Sequence, residues 1–377
     1  MKIAVMGYGT VGRGVVEIVE SSVPAIEVKR ILDLPQNCVE PRMTANVDDI
    51  LNDAEIECVV ECMGGLEPAH TYIMGALTAG KHVVTSNKAV VAANFDEFTA
   101  TAREQGVGLF IEATTGGGIP WIASLEKMRR IDEISSFKGI MNGTTNYIID
   151  QMAKNGTDFA EVLAAAQELG YAEADPSADI DGFDVANKTI ISASMAFDVA
   201  CTHELPVSGI RNFTKADLEF FRGRGRSLKL LGRGVAADGR YAVAVEPVAV
   251  AARSLEANVP DNFNLVSAVG ASIGELKFYG QGAGSLPTGN AMVQDLIDCM
   301  EGRRPSYDFT RGLAYDPSML VSDYVFRAKG FVPEGGNELA EDYYLVKGLT
   351  ATAARAVLDE ALEVDPAAFM AALPEED

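Results

Sequence analysis

The chain has 377 residues and a formal net charge of −23, because 54 acidic residues outnumber 31 basic ones. An acidic surface repels the phosphates of nucleic acids and of anionic lipids, so we expect neither as a partner. No run reaches the ~18 apolar residues that a membrane span needs, and the first residues, "MKIAVMGYG", lack the basic start and apolar core of a signal peptide. The sequence therefore predicts a cytoplasmic protein with two or three domains.

The content of cysteine and histidine argues against a transition-metal enzyme. There are five cysteines and three histidines, and no two cysteines form a CxxC pair. Cys58 and Cys62 stand in the apolar segment "CVVEC", which is typical of a buried strand. We expect them to pack in the core rather than to bind zinc or form a disulfide.

In the first third of the chain, apolar segments of strand length alternate with segments of helical length. The strand-like segments are "KIAVMG", "EVKRILD", "IECVVEC", "HVVTSNK" and "VGLFIEA". This alternation predicts an α/β domain over residues 1–131, with a Rossmann-type, doubly wound parallel sheet. A helix within residues 287–305, which begins with proline, is predicted to return to this domain.

The remaining segments have a different pattern. Helical stretches precede strand-like ones over residues 132–286, and Asp238-Gly239 is a strong hairpin signal, so we predict an α+β domain there. An open sheet in this domain is suited to pair across a dimer interface. Residues 306–377 are predicted to form a C-terminal extension that contains the strand-like "DYYLVKG" and the helical "TATAARAVLDEAL".

The segment "GYGTVG" fits the G-x-G-x-x-G pattern of dinucleotide-binding loops. It follows a predicted strand and opens a predicted helix, where a tight turn and a helix N-terminus suit a pyrophosphate. A glycine-rich structural turn is the alternative interpretation. The residues expected to contact the cofactor are Gly7, Gly9, Thr10, Val11 and Gly12.

Asp33 ends the second strand-like segment, at about the 20-residue spacing expected of an acid that bonds the ribose. A carboxylate repels the additional phosphate of NADP, so Asp33 favours NAD. Arg30 lies nearby in the sequence and would oppose that preference. The expected cofactor is therefore NAD or NADP.

Two other strand-like segments end in residues that suit an active site, because ligands of open α/β sheets bind beyond the carboxyl ends of the strands. Lys88 follows one of these segments and is either a loop lysine or a charge that faces the cofactor. Glu112 and the glycine run 116–118 follow another. The glycine run forms either a simple turn or a loop whose carbonyls converge on a cation.

The densest acidic stretch is "GYAEADPSADIDGFDVANK", in which a helix is predicted to begin near Phe183. Asp184 and Lys188 are four residues apart and share a helix face. Such pairs are commonly exposed and are worth only about 0.3–0.5 kcal/mol. The carboxylates also suggest calcium, although the EF-hand spacing is absent, or an amino-acid ammonium group as ligand.

Six segments in this order make the chain resemble homoserine dehydrogenases over residues 1–305. They are "GYGTVG", "TSNKA", "EATTGGGIP", "NGTTNYI", "GYAEADPSADIDGFDVANK" and "FYGQGAGSLPT". The resemblance implies a reversible, nicotinamide-dependent interconversion of L-homoserine and L-aspartate 4-semialdehyde, on the pathway to threonine and methionine. It also implies that residues 132–286 form the substrate-binding, catalytic and dimerisation domain, and that the protein is a homodimer or a dimer of dimers.

The resemblance assigns roles to individual residues. Lys188 and Lys88 flank the reacting oxygen, and Asp184 forms a hydrogen bond at the same centre. The implied substrate-binding residues are Glu173, Tyr171, Thr144 and Asp179.

The family resemblance further implies a sodium ion near the glycine run. Its ligands are Glu112 and the carbonyls of Thr115, Gly117 and Ile119. Gly284 is expected to lie against the cofactor.

Lysine suits the reaction that the resemblance implies. Hydride that arrives at an aldehyde carbon leaves negative charge on oxygen, which an ammonium group stabilises and protonates. In the oxidation direction the same lysine accepts a proton, which requires a pKa below about 10.4. Two neighbouring lysines lower each other's pKa, and Asp184 opposes that shift. We therefore expect homoserine oxidation to be faster at alkaline pH.

The sequence departs from many members of the family after residue 320. Two short strand-like runs and one clear helix are too few for a complete regulatory domain of the ACT type, so feedback by threonine is not expected to follow from the resemblance. The sequence predicts a monofunctional enzyme without a fused kinase.

Two other functions compete with this interpretation. An aspartate-semialdehyde dehydrogenase needs a nucleophilic cysteine and a base, for which Cys201 and His203 are candidates without an evident oxyanion loop. A non-catalytic NAD-sensing protein would keep "GYGTVG" without needing Lys88, Asp184 and Lys188.

Overall fold

The computed structural model describes residues 1–201, 204–305 and 307–374. The chain forms two compact units, each assembled from three segments. The first unit contains residues 1–127, 198–202 and 280–310, and the second contains residues 128–197, 203–279 and 311–377.

Strands and helices alternate through residues 1–127. The elements are β1 (Lys2–Met6), α1 (Thr10–Ser22), β2 (Glu27–Leu32), β3 (Met43–Thr44), α2 (Asp48–Leu51), β4 (Cys58–Glu61), α3 (Ala69–Thr78), β5 (His82–Thr85), α4 (Lys88–Gln105), β6 (Leu109–Phe110) and α5 (Trp121–Arg129). The boundary between the two units falls within α5.

The first unit is built on a parallel sheet of strand order β3-β2-β1-β4-β5-β6. This is the dinucleotide-binding order, in which the direction of winding reverses between β1 and β4. The strands read as near-continuous apolar runs because helices cover both faces. The predicted Rossmann-type fold is confirmed.

The second unit begins with one strand, continues through helices and then forms long strands. The elements that follow α5 are β7 (Ile134–Ile140), α6 (Gly143–Asn155), α7 (Phe159–Glu168), α8 (Ser177–Ile180), α9 (Phe183–Phe197), α10 (Lys215–Arg222), β8 (Arg226–Ala237), β9 (Arg240–Ala251), β10 (Phe263–Gly270) and β11 (Gly274–Gln281). In the described residues, no helix is long and apolar enough to cross a bilayer.

Helix α11 (Ser285–Met300) belongs to the first unit, where it packs against α1. Glycine permits this close approach, because a Cβ on Gly14 would lie 2.4 Å from the Ser285 carbonyl oxygen. Met292 and Leu296 of α11 share one buried core with Ile3 and Val5 of β1.

The C-terminal residues continue the second unit. They form β12 (Ala314–Tyr315), β13 (Val321–Arg327), β14 (Asn337–Ala340), β15 (Tyr343–Thr350), α12 (Ala351–Val364) and β16 (Phe369–Leu373). The sheet has the order β11-β10-β7-β8-β9-β16-β13-β15-β14, and β12 pairs with β9. The second, α+β part of the predicted fold class is thereby confirmed.

The hairpin between β8 and β9 turns at Asp238-Gly239, as the sequence predicts. Both residues have positive φ, 51° and 74°, which is the geometry of a two-residue type I′ turn. The two strands pair antiparallel over their full length, from Arg226 opposite Ala251 to Ala237 opposite Arg240.

Candidate active site

The glycine loop between β1 and α1 is a tight turn in which two positions require glycine. Gly7 has a φ of +94°, and a Cβ on Gly12 would lie 2.0 Å from the Gly7 carbonyl oxygen. Gly9 caps α1 without a side-chain hydrogen bond, while Thr10 and Val11 begin the helix. Backbone N–H groups at this helix N-terminus suit a phosphate.

Asp33 follows the end of β2 and is hydrogen-bonded to the glycine loop. Its carboxylate accepts hydrogen bonds from the backbone N–H of Tyr8 (3.0 Å) and Leu34 (2.7 Å) and from the Asn37 amide (2.8 Å). Burial opposes ionisation of Asp33, but these hydrogen bonds and the charge of Arg13 outweigh it and lower the pKa. Asp33 is therefore a carboxylate at neutral pH.

A buried acid, Glu61, organises the carboxyl ends of β4 and β5. It is 0% exposed and accepts hydrogen bonds from the Met63 N–H (2.8 Å) and the Thr85 hydroxyl (2.5 Å). Thr85 accepts from the Asn87 N–H at 3.0 Å, and the Asn87 side chain caps α4. This chain of contacts fixes the turn that precedes Lys88, which is half-buried at the start of α4.

Glu112, in the 3₁₀ turn Glu112–Thr114, points its carboxylate at the start of α5. The two carboxylate oxygens accept hydrogen bonds from the N–H groups of Ile122 (3.0 Å) and Ala123 (2.7 Å). Burial raises the pKa of Glu112 to about 7, and these hydrogen bonds oppose that rise. The Glu112 N–H donates to Asp295 at 3.1 Å.

The glycine run packs closely on the segment "GQGAG". A Cβ on Gly117 would lie 2.4 Å from the Gly282 carbonyl carbon. The Thr115 hydroxyl is buried and has no hydrogen-bond partner in the described residues, while the Ile119 carbonyl accepts from the Trp121 N–H at 2.7 Å. Gly284 has a φ of +126° and caps α11.

In the second unit, Asp184 and Lys188 lie one turn apart on α9 and form a buried ion pair. Lys188 Nζ lies 2.7 Å from Asp184 Oδ2, and the side chains are 10% and 7% exposed for lysine and aspartate. Lys188 Nζ also donates to the Met141 carbonyl oxygen at 2.7 Å. The pair is therefore not the ordinary surface pair that its spacing alone favours.

Asn142 joins this ion pair to the loop before α9. Its side-chain amide donates to Asp184 Oδ2 at 2.8 Å and to Asp179 Oδ1 at 2.6 Å. Its Oδ1 accepts from the Thr145 N–H at 2.8 Å, which caps α6. Gly143 is required beside it, because a Cβ there would lie 2.6 Å from the Asn262 carbonyl oxygen.

Of the other predicted substrate-binding residues, Thr144 and Tyr171 meet at the start of α6, and Glu173 follows Tyr171 by two residues. The Thr144 hydroxyl donates to the Tyr171 carbonyl at 2.5 Å, and the Tyr171 ring packs edge-on against Tyr147. Glu173 is exposed, and its backbone carbonyl accepts a hydrogen bond from Gln167.

Sequence reasoning missed Asn142 and Glu61. Asn142 stands directly before Gly143 at a helix start, which is a capping signal, but nothing in the sequence indicates that it binds two distant carboxylates. Glu61 is an acid inside an apolar strand, which is a signal for a functional or structural role.

Two of the competing interpretations concern metal ions and a cysteine nucleophile. In the described ranges, no group of three or more His, Cys, Asp or Glu side chains is placed to hold a metal ion. Cys201 is buried in the first unit, and its predicted partner His203 lies outside the described residues.

Comparison with known families identifies two matching regions. A family model described as "Homoserine dehydrogenase, NAD binding domain" matches residues 7–112, and one described as "Homoserine dehydrogenase" matches residues 120–297.

Curated proteins and solved structures give the same result. The homoserine dehydrogenase of Synechocystis sp. is 42% identical over 79% of this chain and 73% of its own length, and that of Bacillus subtilis is 36% identical over 81% and 74%. The crystal structure of a homoserine dehydrogenase from Thiobacillus denitrificans is 30% identical and covers 100% of this chain and 98% of its own, with a TM-score of 0.89.

Proposed function

Because the chain belongs to the homoserine dehydrogenase family, we propose that its buried Asp184–Lys188 pair serves the proton transfer of the family's reaction. The chain is an NAD(P)-dependent oxidoreductase of amino-acid biosynthesis that interconverts L-homoserine and L-aspartate 4-semialdehyde. The observation that carries the proposal is the burial of an ammonium group held by one carboxylate and one carbonyl.

A nicotinamide cofactor, when bound, would supply or accept the hydride. Lys188 then protonates the oxygen that becomes negative on aldehyde reduction, and its neutral form accepts the proton when homoserine is oxidised. Asp184 and the Met141 carbonyl fix the position of Nζ, so the lysine does not need to reorganise during the reaction. Lys88 remains a predicted catalytic and cofactor-binding residue in the first unit.

We assign substrate binding to the residues around α6 and the acidic stretch. Thr144, Tyr171 and Asp179 contact one another or Asn142, which supports a common site. Glu173 is exposed, as a ligand for a substrate ammonium group can be before substrate binds. Asn142 joins this group because it orients both Asp179 and Asp184.

The glycine loop and Asp33 are assigned to NAD or NADP. An ionised Asp33 at the end of β2 would accept hydrogen bonds from the ribose hydroxyls and would repel a 2′-phosphate, which supports a preference for NAD. Gly284 is assigned to the same cofactor.

The Glu112 turn fits a monovalent cation in its chemistry. The carboxylate of Glu112 and the buried hydroxyl of Thr115, which has no hydrogen-bond partner in the described residues, are oxygen groups of the type that hard cations select. Glu112 and the carbonyls of Thr115, Gly117 and Ile119 would hold sodium, which would neutralise the buried carboxylate.

The assignment extends to the organisation of the protein. We propose that the first unit binds the dinucleotide and the second binds the substrate. We also propose that the protein is a homodimer or a dimer of dimers and that it is located in the cytoplasm.

The first test is the growth of absorbance at 340 nm with L-homoserine and either NAD or NADP. An increase that depends on homoserine establishes the reaction, and a faster rate with NAD is expected from Asp33.

Lys188→Ala is expected to lose turnover while cofactor binding, measured by fluorescence titration, is retained. Lys347→Ala, at an exposed position of β15, is the control and should keep the activity of the parent. Turnover of Lys188→Ala equal to the control would remove Lys188 from the mechanism.

A further inference from the structure

A basic cavity of about 270 Å³ lies in the second unit, between α6, α10 and the start of β8. None of its lining residues belongs to the Asp184–Lys188 cluster. Five basic side chains line it against two acidic ones, Asp150 and Glu219. The basic residues are Lys154, Lys215, Arg222, Arg226 and Lys229. The cavity lining is therefore positively charged, although the whole chain has a net charge of −23.

Lys229 of β8 is the buried centre of this charge, because it is only 3% exposed. Its Nζ donates to the Asn146 side-chain oxygen (2.8 Å) and to the Val259 carbonyl (3.0 Å), and both acceptors are neutral. An ammonium group has three donors, so one donor of Lys229 has no acceptor in the described part of the chain. Among the described residues no carboxylate lies within ion-pair distance of Lys229, and burial of a charge without a counter-ion is costly.

Among the residues that the structure describes, the acidic side chains near the cavity form no ion pair with Lys229. Asp150 lies 2.7 Å from Lys154, and Lys215 pairs at 3.3 Å with Asp158, which does not line the cavity. Arg222 is exposed, and the described part of the chain gives it no ion pair. An anion that entered the cavity would meet several cations and displace few existing contacts.

The remaining wall of the cavity is apolar. Its apolar residues include Ile149, Met152, Leu218, Leu228 and Ala257. The volume is just below the range of about 300–1,000 Å³ that is typical of pockets for drug-sized ligands. A ligand of only a few heavy atoms, with a charged end and a short apolar body, fits such a wall.

We propose that this cavity binds a small organic oxyanion, a carboxylate or a phosphate monoester, whose charge pairs with Lys229 and Arg222. The site goes beyond the dehydrogenase reaction, because it shares no side chain with the residues assigned to homoserine or to the cofactor. Helix α6 connects the two places, with Asn142 capping its N-terminus and Lys154 near its C-terminus.

Calorimetric titration of the full chain with butyrate and with methyl phosphate tests the proposal. A titration with chloride at the same ionic strength is the control for each probe. We expect one equivalent of at least one probe to bind. Saturation by butyrate alone identifies a carboxylate ligand, and saturation by methyl phosphate alone identifies a phosphoryl ligand. Binding of neither probe would overturn the proposal.

Two variants locate the binding. Lys229→Met and Arg222→Gln are each expected to weaken it at least tenfold, and Lys347→Gln on β15 should leave it unchanged. If Lys229→Met does not fold, the exposed Arg222→Gln decides alone. Equal affinity in Arg222→Gln and the parent would place the probe elsewhere and refute the proposed site.

A pH series gives an independent readout. The pKa of Lys229 is lowered to about 8 by burial, so probe affinity should fall as pH rises from about 7 to 9.5 and Lys229 loses its proton. The other charged groups that line the cavity, Asp150, Glu219, Lys154, Lys215 and Arg226, are common to the parent and both variants. The fall should persist in Arg222→Gln and disappear in Lys229→Met. An affinity that does not vary with pH in the parent would contradict a contact with Lys229.

Discussion

Asp184–Lys188 and Arg355–Asp359 have the same i,i+4 spacing in a helix but very different surroundings. The side chains of the second pair are 37% and 54% exposed, whereas those of the first are almost completely buried. An exposed pair is worth little, but a buried lysine that loses its carboxylate loses both its orientation and its counter-charge.

We therefore expect Asp184→Asn to lower kcat by about 100-fold, the lower end of typical effects for proton-transfer groups. Asp359→Asn should change kcat by less than about twofold, because surface pairs contribute little. Steady-state kinetics with homoserine measures both. Equal activities of the two variants would show that the buried pair has no part in the reaction.

Lys229 predicts a pH dependence of stability. Its pKa is about 8 in the folded chain, below the ordinary lysine value of 10.5 that applies in the unfolded chain, so the unfolded chain binds the proton more tightly. Folding stability due to this group therefore rises between pH 8 and 10.5, by up to about 3 kcal/mol. Urea unfolding should show that the free energy of unfolding of the parent rises relative to that of Lys229→Met over this pH interval. A constant difference would mean that Lys229 is not desolvated.

Residue spacing predicted the Asp184–Lys188 pair but not its burial. The pair is buried because Met141 and Asn142 come from a segment more than 40 residues away along the chain. Residue spacing predicts which side chains are neighbours on one helix or strand. Asn142 and Glu61, in contrast, form hydrogen bonds with residues of other elements. Their contacts become visible only when the strands and helices are placed in space.

At the scale of elements, α6 begins at a cap that also serves the site. Asn142 caps α6 and donates to two carboxylates, whereas Thr350 caps α12 through one bond to the Ala353 N–H. Loss of a simple cap costs about 1 kcal/mol, and loss of a donor to buried charges adds about 1–3 kcal/mol.

We expect Asn142→Ala to lower the free energy of unfolding by about 2–4 kcal/mol and Thr350→Ala by about 1 kcal/mol. Denaturant titration of both variants gives the comparison. If the two losses are equal, Asn142 acts only as a cap.

The elements differ in how well the sequence predicts them. Apolar β-branched segments gave β1, β4 and β5, because a parallel sheet buries both faces of its strands. In contrast, β16 has the sequence "FMAAL", and alanine is a poor strand former. Its pairing with β13, opposite Asp323 to Arg327, comes from tertiary contacts that local propensity does not contain.

At the scale of the whole molecule, the C-terminal residues are part of the second unit's core. Tyr324, Phe326 and Leu358 share one buried cluster with Leu231 and Val248 of the central strands. Asp217, which is 0% exposed, accepts a hydrogen bond from Arg327 at 2.7 Å. Removal of this segment would leave apolar strands and a buried carboxylate uncovered.

A chain that ends at residue 310 should therefore fail to show a cooperative unfolding transition for its second unit. A chain that ends at residue 374 should behave as the parent does. Far-UV circular dichroism during urea titration, combined with limited proteolysis, distinguishes the two. A sharp transition in the shorter chain would mean that the strands before residue 311 are stable alone.

The return of α11 to the first unit has a consequence for the order of events on the ribosome. Met292 and Leu296 complete the core that β1 and α1 begin, yet more than 150 residues separate them from the first segment of that unit. At about 5–20 residues per second, synthesis of the intervening chain takes roughly ten to thirty seconds. During that time the apolar surface of the nascent dinucleotide-binding unit stays uncovered. Chaperone binding should therefore be greatest before α11 emerges from the ribosome.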